Sequence, residues 1–192
     1  IGTTNSVIIR GLIDKFDLPV TEEAFNERMN SYKMGLYEKE GYPGVDGVKE
    51  LLQSLKSAGF LLAVASSSPY RNIVLAVEAL GIRAYFDQLV SGESVPNPKP
   101  APDVFLAAAK VLGTEPEDCL VIEDSCNGVR AAGNAGMACI GFENPDSGSQ
   151  DLSLAVKRTK SFREVDAAYV KQAYELWEKT KKEGFRDRSL QK

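Results

Sequence analysis

Two adjacent carboxylates, Glu123 and Asp124, end the predicted strand Cys119–Glu123 and open a loop that contains Ser and Gly. In open α/β sheets, ligands bind beyond the carboxyl ends of the strands. Hard cations such as Mg²⁺ are held there by one or two carboxylates, and substrate phosphate completes the coordination shell. Asp and Ser are also good N-caps. The pair by itself therefore predicts either a metal site or the cap of the following helix.

Earlier in the chain, a hydroxyl and a lysine lie at two other connections of the predicted sheet. The predicted strand Leu61–Ala65 leads into the run Ser66-Ser67-Ser68, and Lys99 lies between two prolines ahead of the next helix. Hydroxyl and backbone N–H groups donate to phosphate oxygens, while an ammonium supplies a point charge. The flanking prolines restrict the backbone around Lys99. Taken alone, Lys99 would be interpreted as an exposed loop lysine. Together with the hydroxyl and the carboxylates, it favours a phosphate-monoester site.

Five segments carry this pattern in a fixed order: Ala63–Ser68, Lys99–Phe105, Ile122–Gly128, Gly136-Met137 and Ile140–Phe142. In amino-acid sequence and in order along the chain, they resemble the motifs of the haloacid dehalogenase superfamily, specifically the branch that contains β-phosphoglucomutase and the sugar-phosphate phosphatases. The resemblance runs from about residue 1 to residue 164. It implies an α/β fold, with a Rossmann-like parallel sheet core and a partial helical cap domain.

The resemblance also implies roles for individual residues in a Mg²⁺-dependent phosphatase. Asp124 would coordinate Mg²⁺, and Glu123 would hold a metal-bound water. Lys99 would neutralise the phosphoryl oxygens, and Ser66 would donate a hydrogen bond to one of them. The expected substrate-binding residues are Ser67, Ser68, Gly2, Thr3 and Thr4, of which the last three resemble a cap loop that faces the active site.

One part of the family pattern is absent from the sequence. Members of the family begin with a strand that ends in Asp-x-Asp-Gly, whose first Asp is the nucleophile and whose second Asp is the general acid and base. This chain contains no Asp-x-Asp, and its first residue is Ile. We therefore expect a central strand to be missing between the strands that end near Ser66 and Asp124, and the chain alone to be inactive.

The elements that must position these residues are predicted from hydrophobic periodicity. Residues 1–41 are predicted to form the C-terminal part of a helical cap, residues 42–165 the Rossmann-like core, and residues 166–192 a C-terminal helical tail in which Gly184 stops the helix. Within the core, helices alternate with short apolar strands, which is typical of a parallel sheet with helices on both faces. The loop at residues 144–150 is predicted either to overhang the site or to be a plain surface turn.

Composition restricts the class of protein. The 192 residues include 43% hydrophobic residues and carry a formal net charge of −4, so no electrostatic argument supports nucleic-acid binding. The absence of His excludes His-dependent triads and zinc sites within this chain. The three cysteines, Cys119, Cys126 and Cys139, indicate a reduced, cytoplasmic protein rather than a disulfide framework. The expected partner is a small phosphorylated metabolite, with no nucleic acid or membrane, and the protein is expected to be a monomer.

Three functions remain open from the sequence. A phosphatase of small phosphorylated metabolites is the first. A β-phosphoglucomutase-type mutase is the second, but the positions that would grip its second phosphate hold Asn5, Pro69 and Tyr70 rather than cations. A non-catalytic phosphate-binding protein is the third. Residues 1–41 show no acidic or basic cluster that would specify the leaving group.

Overall fold

The computed structural model describes residues 5–189, in which helices and parallel strands alternate through the core. The helices are α1 (Asn5–Phe16), α2 (Glu22–Glu40), α3 (Val48–Ser57), α4 (Tyr70–Ala79), α5 (Asp103–Leu112), α6 (Cys126–Asn134) and α7 (Ala167–Ser189). The strands are β1 (Ala63–Ser66), β2 (Gln88–Ser91), β3 (Leu120–Glu123), β4 (Ala138–Phe142) and β5 (Lys157–Thr159). The predicted α/β fold is confirmed.

The strands form two parallel sheets. Strand β1 pairs with β2, with Ala63 opposite Gln88. Strand β4 lies between β3 and β5, with Leu120 opposite Ala138 and Ile140 opposite Lys157. Within residues 5–189, no ladder joins β1 to β3. This break lies where the family resemblance implies an additional central strand.

The apolar core lies on both faces of the sheets. One cluster packs α5 and α6 over β4 and includes Phe105, Val129 and Cys139. The other packs α3 and α7 on the opposite face and includes Leu51 and Ile140. Successive residues of a strand point to opposite faces, which explains why Cys139 and Ile140 belong to different clusters. Strand β4 is consequently buried along its whole length.

Helices α1 and α2 precede the core and contact each other. Thr21 is the N-cap of α2, and its hydroxyl oxygen accepts the Ala24 N–H at 3.2 Å. The apolar side chains of these two helices are buried only in part, because Ile9 is 1% exposed whereas Phe16 is 59% and Tyr32 is 69% exposed.

The predicted strands Leu61–Ala65 and Cys119–Glu123 agree with β1 and β3 to within two residues at each end, and two other features differ from the sequence analysis. Strand β5 has no apolar run and was not predicted. The prediction that Gly184 stops the last helix is wrong, because α7 continues to Ser189. A glycine inside a helix costs only about 1 kcal/mol relative to alanine, so it does not by itself end one. The division at residues 41/42 and 165/166 stays a prediction.

Candidate active site

Lys99 lies at the junction between the two sheets. Its ammonium donates to Glu123 Oε2 at 2.8 Å and to the Ala65 carbonyl of β1 at 3.4 Å. It also lies 4.4 Å from the centroid of the Phe105 ring. The Lys99 side chain is 7% exposed, and the Lys99–Pro100 peptide bond is cis. Lys99 is therefore a fixed, nearly buried cation that joins the carboxyl ends of β1 and β3, rather than an exposed loop lysine.

Glu123 is held from the other side by the first turn of α6. Its Oε1 atom accepts the Ser125 hydroxyl at 2.7 Å and the Ser125 N–H at 3.1 Å. The Ser125 Oγ atom in turn accepts the Gly128 N–H at 3.0 Å, so Ser125 is the N-cap of α6. A Cβ atom at Gly128 would lie 2.0 Å from Glu123 Cδ. The carboxylate thus lies directly against the α6 backbone, at a point where only glycine leaves room.

Asp124 points toward the loop that follows β4. Its Oδ2 atom accepts the side-chain amide of Asn144 at 2.8 Å and the hydroxyl of Ser147 at 2.5 Å. Of the two predicted roles of the 144–150 loop, the structure favours contact with the site. The sequence analysis did not single out Asn144 or Ser147, and the only signal was the position of their loop after a strand's carboxyl end.

The described residues make only part of a metal site. Within residues 5–189, no group of three or more Cys, Asp or Glu side chains could hold a metal ion. Both oxygens of Glu123 already contact Lys99 or Ser125, and Asp124 Oδ2 has two hydrogen-bond donors. Mg²⁺ requires six oxygen ligands in near-octahedral geometry. Asp124 offers one carboxylate, so the described residues by themselves do not fit a complete Mg²⁺ site.

The serine loop after β1 is held close to the loop after β2. Ser66 Oγ accepts the Ser68 N–H at 3.1 Å, and Ser91 Oγ donates to the Ser68 carbonyl at 2.7 Å. A Cβ atom at Gly92 would lie 3.1 Å from Ser67 Cα, which shows how closely the two loops approach. Because the Ser66 oxygen accepts in this contact, its O–H remains able to donate to a ligand.

A cleft of about 940 Å³ lies between α2 and these loops. Lys99 and Ser67 line it together with polar residues of α2. Asp124 instead lines a separate pocket of about 340 Å³ beneath residues 142–152. The structure therefore brings Lys99, Glu123 and the serine loop together, while Asp124 opens onto the neighbouring cavity. Gly2, Thr3 and Thr4 lie outside the described residues.

Cys139 lies on β4, opposite Val121 of β3. It is 3% exposed. Burial raises the pKa of its thiol to about 12, and the negative charge of Glu123 acts in the same direction. The thiolate is the nucleophilic form of cysteine. Cys139 is therefore protonated at neutral pH and serves as a core residue.

Known proteins resemble this chain in both sequence and fold. A phosphorylated carbohydrates phosphatase of Thermotoga maritima is 34% identical over 137 residues, which cover 67% of this chain and 63% of that protein. Hexitol phosphatase B of Escherichia coli is 36% identical over 142 residues, which cover 73% of this chain and 64% of that protein. The chain thus spans less than two thirds of the length of these relatives.

A solved structure and a family model extend the comparison. The crystal structure of β-phosphoglucomutase from Clostridium difficile superimposes with a TM-score of 0.77 at 24% identity, over 91% of this chain and 78% of that one. This likeness shows the fold. The model of the haloacid dehalogenase-like hydrolase family matches residues 1–142. With the lysine, serine and carboxylate positions at the strand ends, these matches show that the chain belongs to the haloacid dehalogenase-like hydrolases.

Proposed function

We propose that the intact protein that contains this chain is a phosphatase of small phosphorylated metabolites, with sugar phosphates as its substrate class. The buried Lys99 ammonium, held between β1 and β3 beside a wide cleft, is the observation that carries the proposal. Hydrolysis of a phosphate monoester needs mainly positioning and stabilisation of negative charge. A fixed cation at the carboxyl ends of parallel strands supplies both.

The residues of this chain take complementary parts in the proposed reaction. Lys99 neutralises charge on the phosphoryl oxygens, and the Ser66 hydroxyl donates a hydrogen bond to one of them. Glu123 positions the ammonium, because it is bonded on its other side to Ser125. Asn144 and Ser147 orient Asp124 through its Oδ2 atom.

The proposal assigns the covalent step to a residue outside this chain. An aspartate on a further strand would attack phosphorus while the P–O bond to the leaving alcohol breaks, and the second aspartate of that strand would protonate the leaving oxygen. Water, deprotonated by the same second aspartate, would then hydrolyse the aspartyl-phosphate and release inorganic phosphate. The break between β1 and β3 is compatible with a strand at that position. Mg²⁺ would be held by Asp124 together with ligands from the same strand, and it would offset the charge of the phosphoryl group. The chain without that strand is expected to have no turnover.

The test is phosphate release by the intact protein from a panel of sugar phosphates, with Mg²⁺ and with EDTA. We expect turnover of several sugar phosphates that is lost with EDTA. Turnover that is unchanged by EDTA would refute the metal dependence, and no phosphate release from any member would favour the non-catalytic phosphate-binding protein.

The same panel separates the phosphatase from the mutase. A mutase must grip a second phosphate, and Pro69 and Tyr70 supply no cation for it where α4 begins. Isomerisation of glucose 1-phosphate without net phosphate release, after priming with the bisphosphate, would establish the mutase instead.

We also propose a cellular compartment and an oligomeric state for the enzyme. No helix within residues 5–189 is long and apolar enough to cross a membrane. Cys119, Cys126 and Cys139 are all free, which supports a reducing compartment such as the cytoplasm. We propose a monomer whose partner is the phosphorylated metabolite itself.

A further inference from the structure

Most charged side chains that line the cleft beside Lys99 are acidic. Four carboxylates line the cleft, against the single ammonium of Lys99: Glu22, Glu23 and Glu27 from α2, and Glu93 from the loop after β2. Glu22 is paired with Arg10 at 3.1 Å. Among the described residues, no basic side chain lies within 4.0 Å of the carboxylates of Glu23, Glu27 or Glu93, and all three are exposed.

Three of these carboxylates share one helix face with two amides. Residues 22, 23, 26, 27 and 30 follow the spacing of neighbours on a helix surface, and the first three turns of α2 thus present Asn26 and Asn30 beside the glutamates. Eight residues of helix rise span about 12 Å, which is long enough to lie along a six-carbon leaving group. Asn72 lines the cleft as well. From the sequence, no acidic or basic cluster in residues 1–41 specified the leaving group, and the fold adds that these side chains line one cleft.

These groups favour one kind of leaving group. Carboxylates accept hydrogen bonds from hydroxyl groups, and side-chain amides both donate to them and accept from them. A second phosphate or a carboxylate at the same place would face like charges. Each such charge at about 8 Å weakens anion binding about twofold even in water, and more where the local dielectric is lower. Lys99, already paired with Glu123, is a poor compensating cation for a second anion.

We propose that this cleft selects phosphate monoesters whose leaving group is polyhydroxylated and carries no second negative charge. This inference rests on the proposed function, which places the phosphate of the substrate beside Lys99. It excludes bisphosphates and phosphorylated acids as good ligands, and it favours an added ammonium on the leaving group.

The test is calorimetric titration of the intact protein in EDTA, so that affinity is measured without turnover. Glucose 6-phosphate and glucosamine 6-phosphate share a pyranose ring and differ by one ammonium, whereas sorbitol 6-phosphate and 6-phosphogluconate share an open six-carbon chain and differ by one carboxylate. We expect 6-phosphogluconate to bind at least about fivefold more weakly than sorbitol 6-phosphate, and glucosamine 6-phosphate at least about twofold more tightly than glucose 6-phosphate. Both differences should shrink as ionic strength rises. Equal affinities within each pair, the reverse order or no binding of any of the four would overturn the proposal.

Charge-neutralising variants locate the effect. Glu23→Gln combined with Glu27→Gln should bring the affinities for 6-phosphogluconate and sorbitol 6-phosphate to within about twofold of each other. Glu40→Gln is the matched control, because Glu40 is exposed on the same helix but lies outside the cleft lining. An equal change in relative affinity in the double variant and in Glu40→Gln would overturn the assignment of the charge selection to Glu23 and Glu27. Ligand binding in the expected order without phosphate release in Mg²⁺ would refute the proposed phosphatase and leave the charge selection standing.

Discussion

Replacing Gly128 with Ala tests whether Glu123 is confined by the first turn of α6. The added Cβ would lie 2.0 Å from Glu123 Cδ and 2.3 Å from Glu123 Cγ, whereas unstrained carbon atoms lie about 3.5–4.0 Å apart. The Glu123 side chain must therefore move by about 1.5 Å or more. Such a movement breaks its 2.8 Å ion pair with Lys99.

The expected loss of stability follows from the burial of that pair. The side chains of Lys99 and Glu123 are 7% and 12% exposed, and separating a buried pair costs about 3–5 kcal/mol. Alanine in a helix contributes about 1 kcal/mol in the opposite direction relative to glycine. We therefore expect Gly128→Ala to lower the free energy of unfolding by about 2–4 kcal/mol, which is a large part of the 5–15 kcal/mol typical of a domain.

Gly133→Ala is the matched control on the same helix. No atom lies within 4 Å of its added Cβ, so the substitution should raise the free energy of unfolding by about 0.5–1 kcal/mol. Urea unfolding followed by circular dichroism measures both variants. In a Glu123→Ala background, Gly128→Ala should no longer destabilise the protein. A loss below about 1 kcal/mol for Gly128→Ala, or the same loss in both backgrounds, would refute the reasoning.

Three further predictions concern the core around the site. Ser125→Ala should lower the free energy of unfolding by about 1–2 kcal/mol in urea, because the α6 cap and a buried bond to Glu123 are both lost; no change would contradict this. The hydrogen bond from the Leu62 N–H and, to a smaller extent, the one from Lys56 lower the pKa of Asp87 below its ordinary 3.8. The difference in the free energy of unfolding between the original protein and Asp87→Asn should therefore be largest above about pH 5, and it should vanish as the pH falls through the pKa of Asp87 in the folded protein. A difference in urea melts that does not depend on pH would contradict this. Cys139, with a pKa of about 12, should react with iodoacetamide at pH 8 only after unfolding, as judged by mass spectrometry.

From the sequence we predicted that Lys99, the serine run and the two carboxylates lie at one sheet edge, because the carboxyl ends of parallel strands share that edge. Lys99 and Glu123 are in contact there, whereas Asp124 lines a neighbouring cavity. The sequence did not predict that Lys99 would contact Glu123, since that contact depends on side-chain directions across 24 residues of separation. The cap of α6 was likewise open between Asp124 and Ser125. The structure assigns it to Ser125, whose Oγ accepts the Gly128 N–H.

Two features had almost no signal in the sequence. Strand β5 consists of Lys157-Arg158-Thr159, which has no apolar run, and it forms because the buried strand β4 offers it a free edge. The acidic lining of the cleft combines residues of α2 with Glu93, and only folding brings these distant segments to one cleft. Hydrophobic periodicity reports which faces are buried, and it carries no information about which polar faces oppose each other.

The central claim is that Lys99 is the cation of a phosphoryl site, and turnover of a sugar phosphate by intact Lys99→Met protein tests it most directly. Because this change leaves Glu123 buried without its partner, a second variant combines it with Glu123→Gln and should recover stability. We expect both variants to lose at least about 100-fold in kcat/KM, as when a group that stabilises developing negative charge is removed. Turnover that recovers together with stability in the double variant, or that never falls in either, would contradict the account.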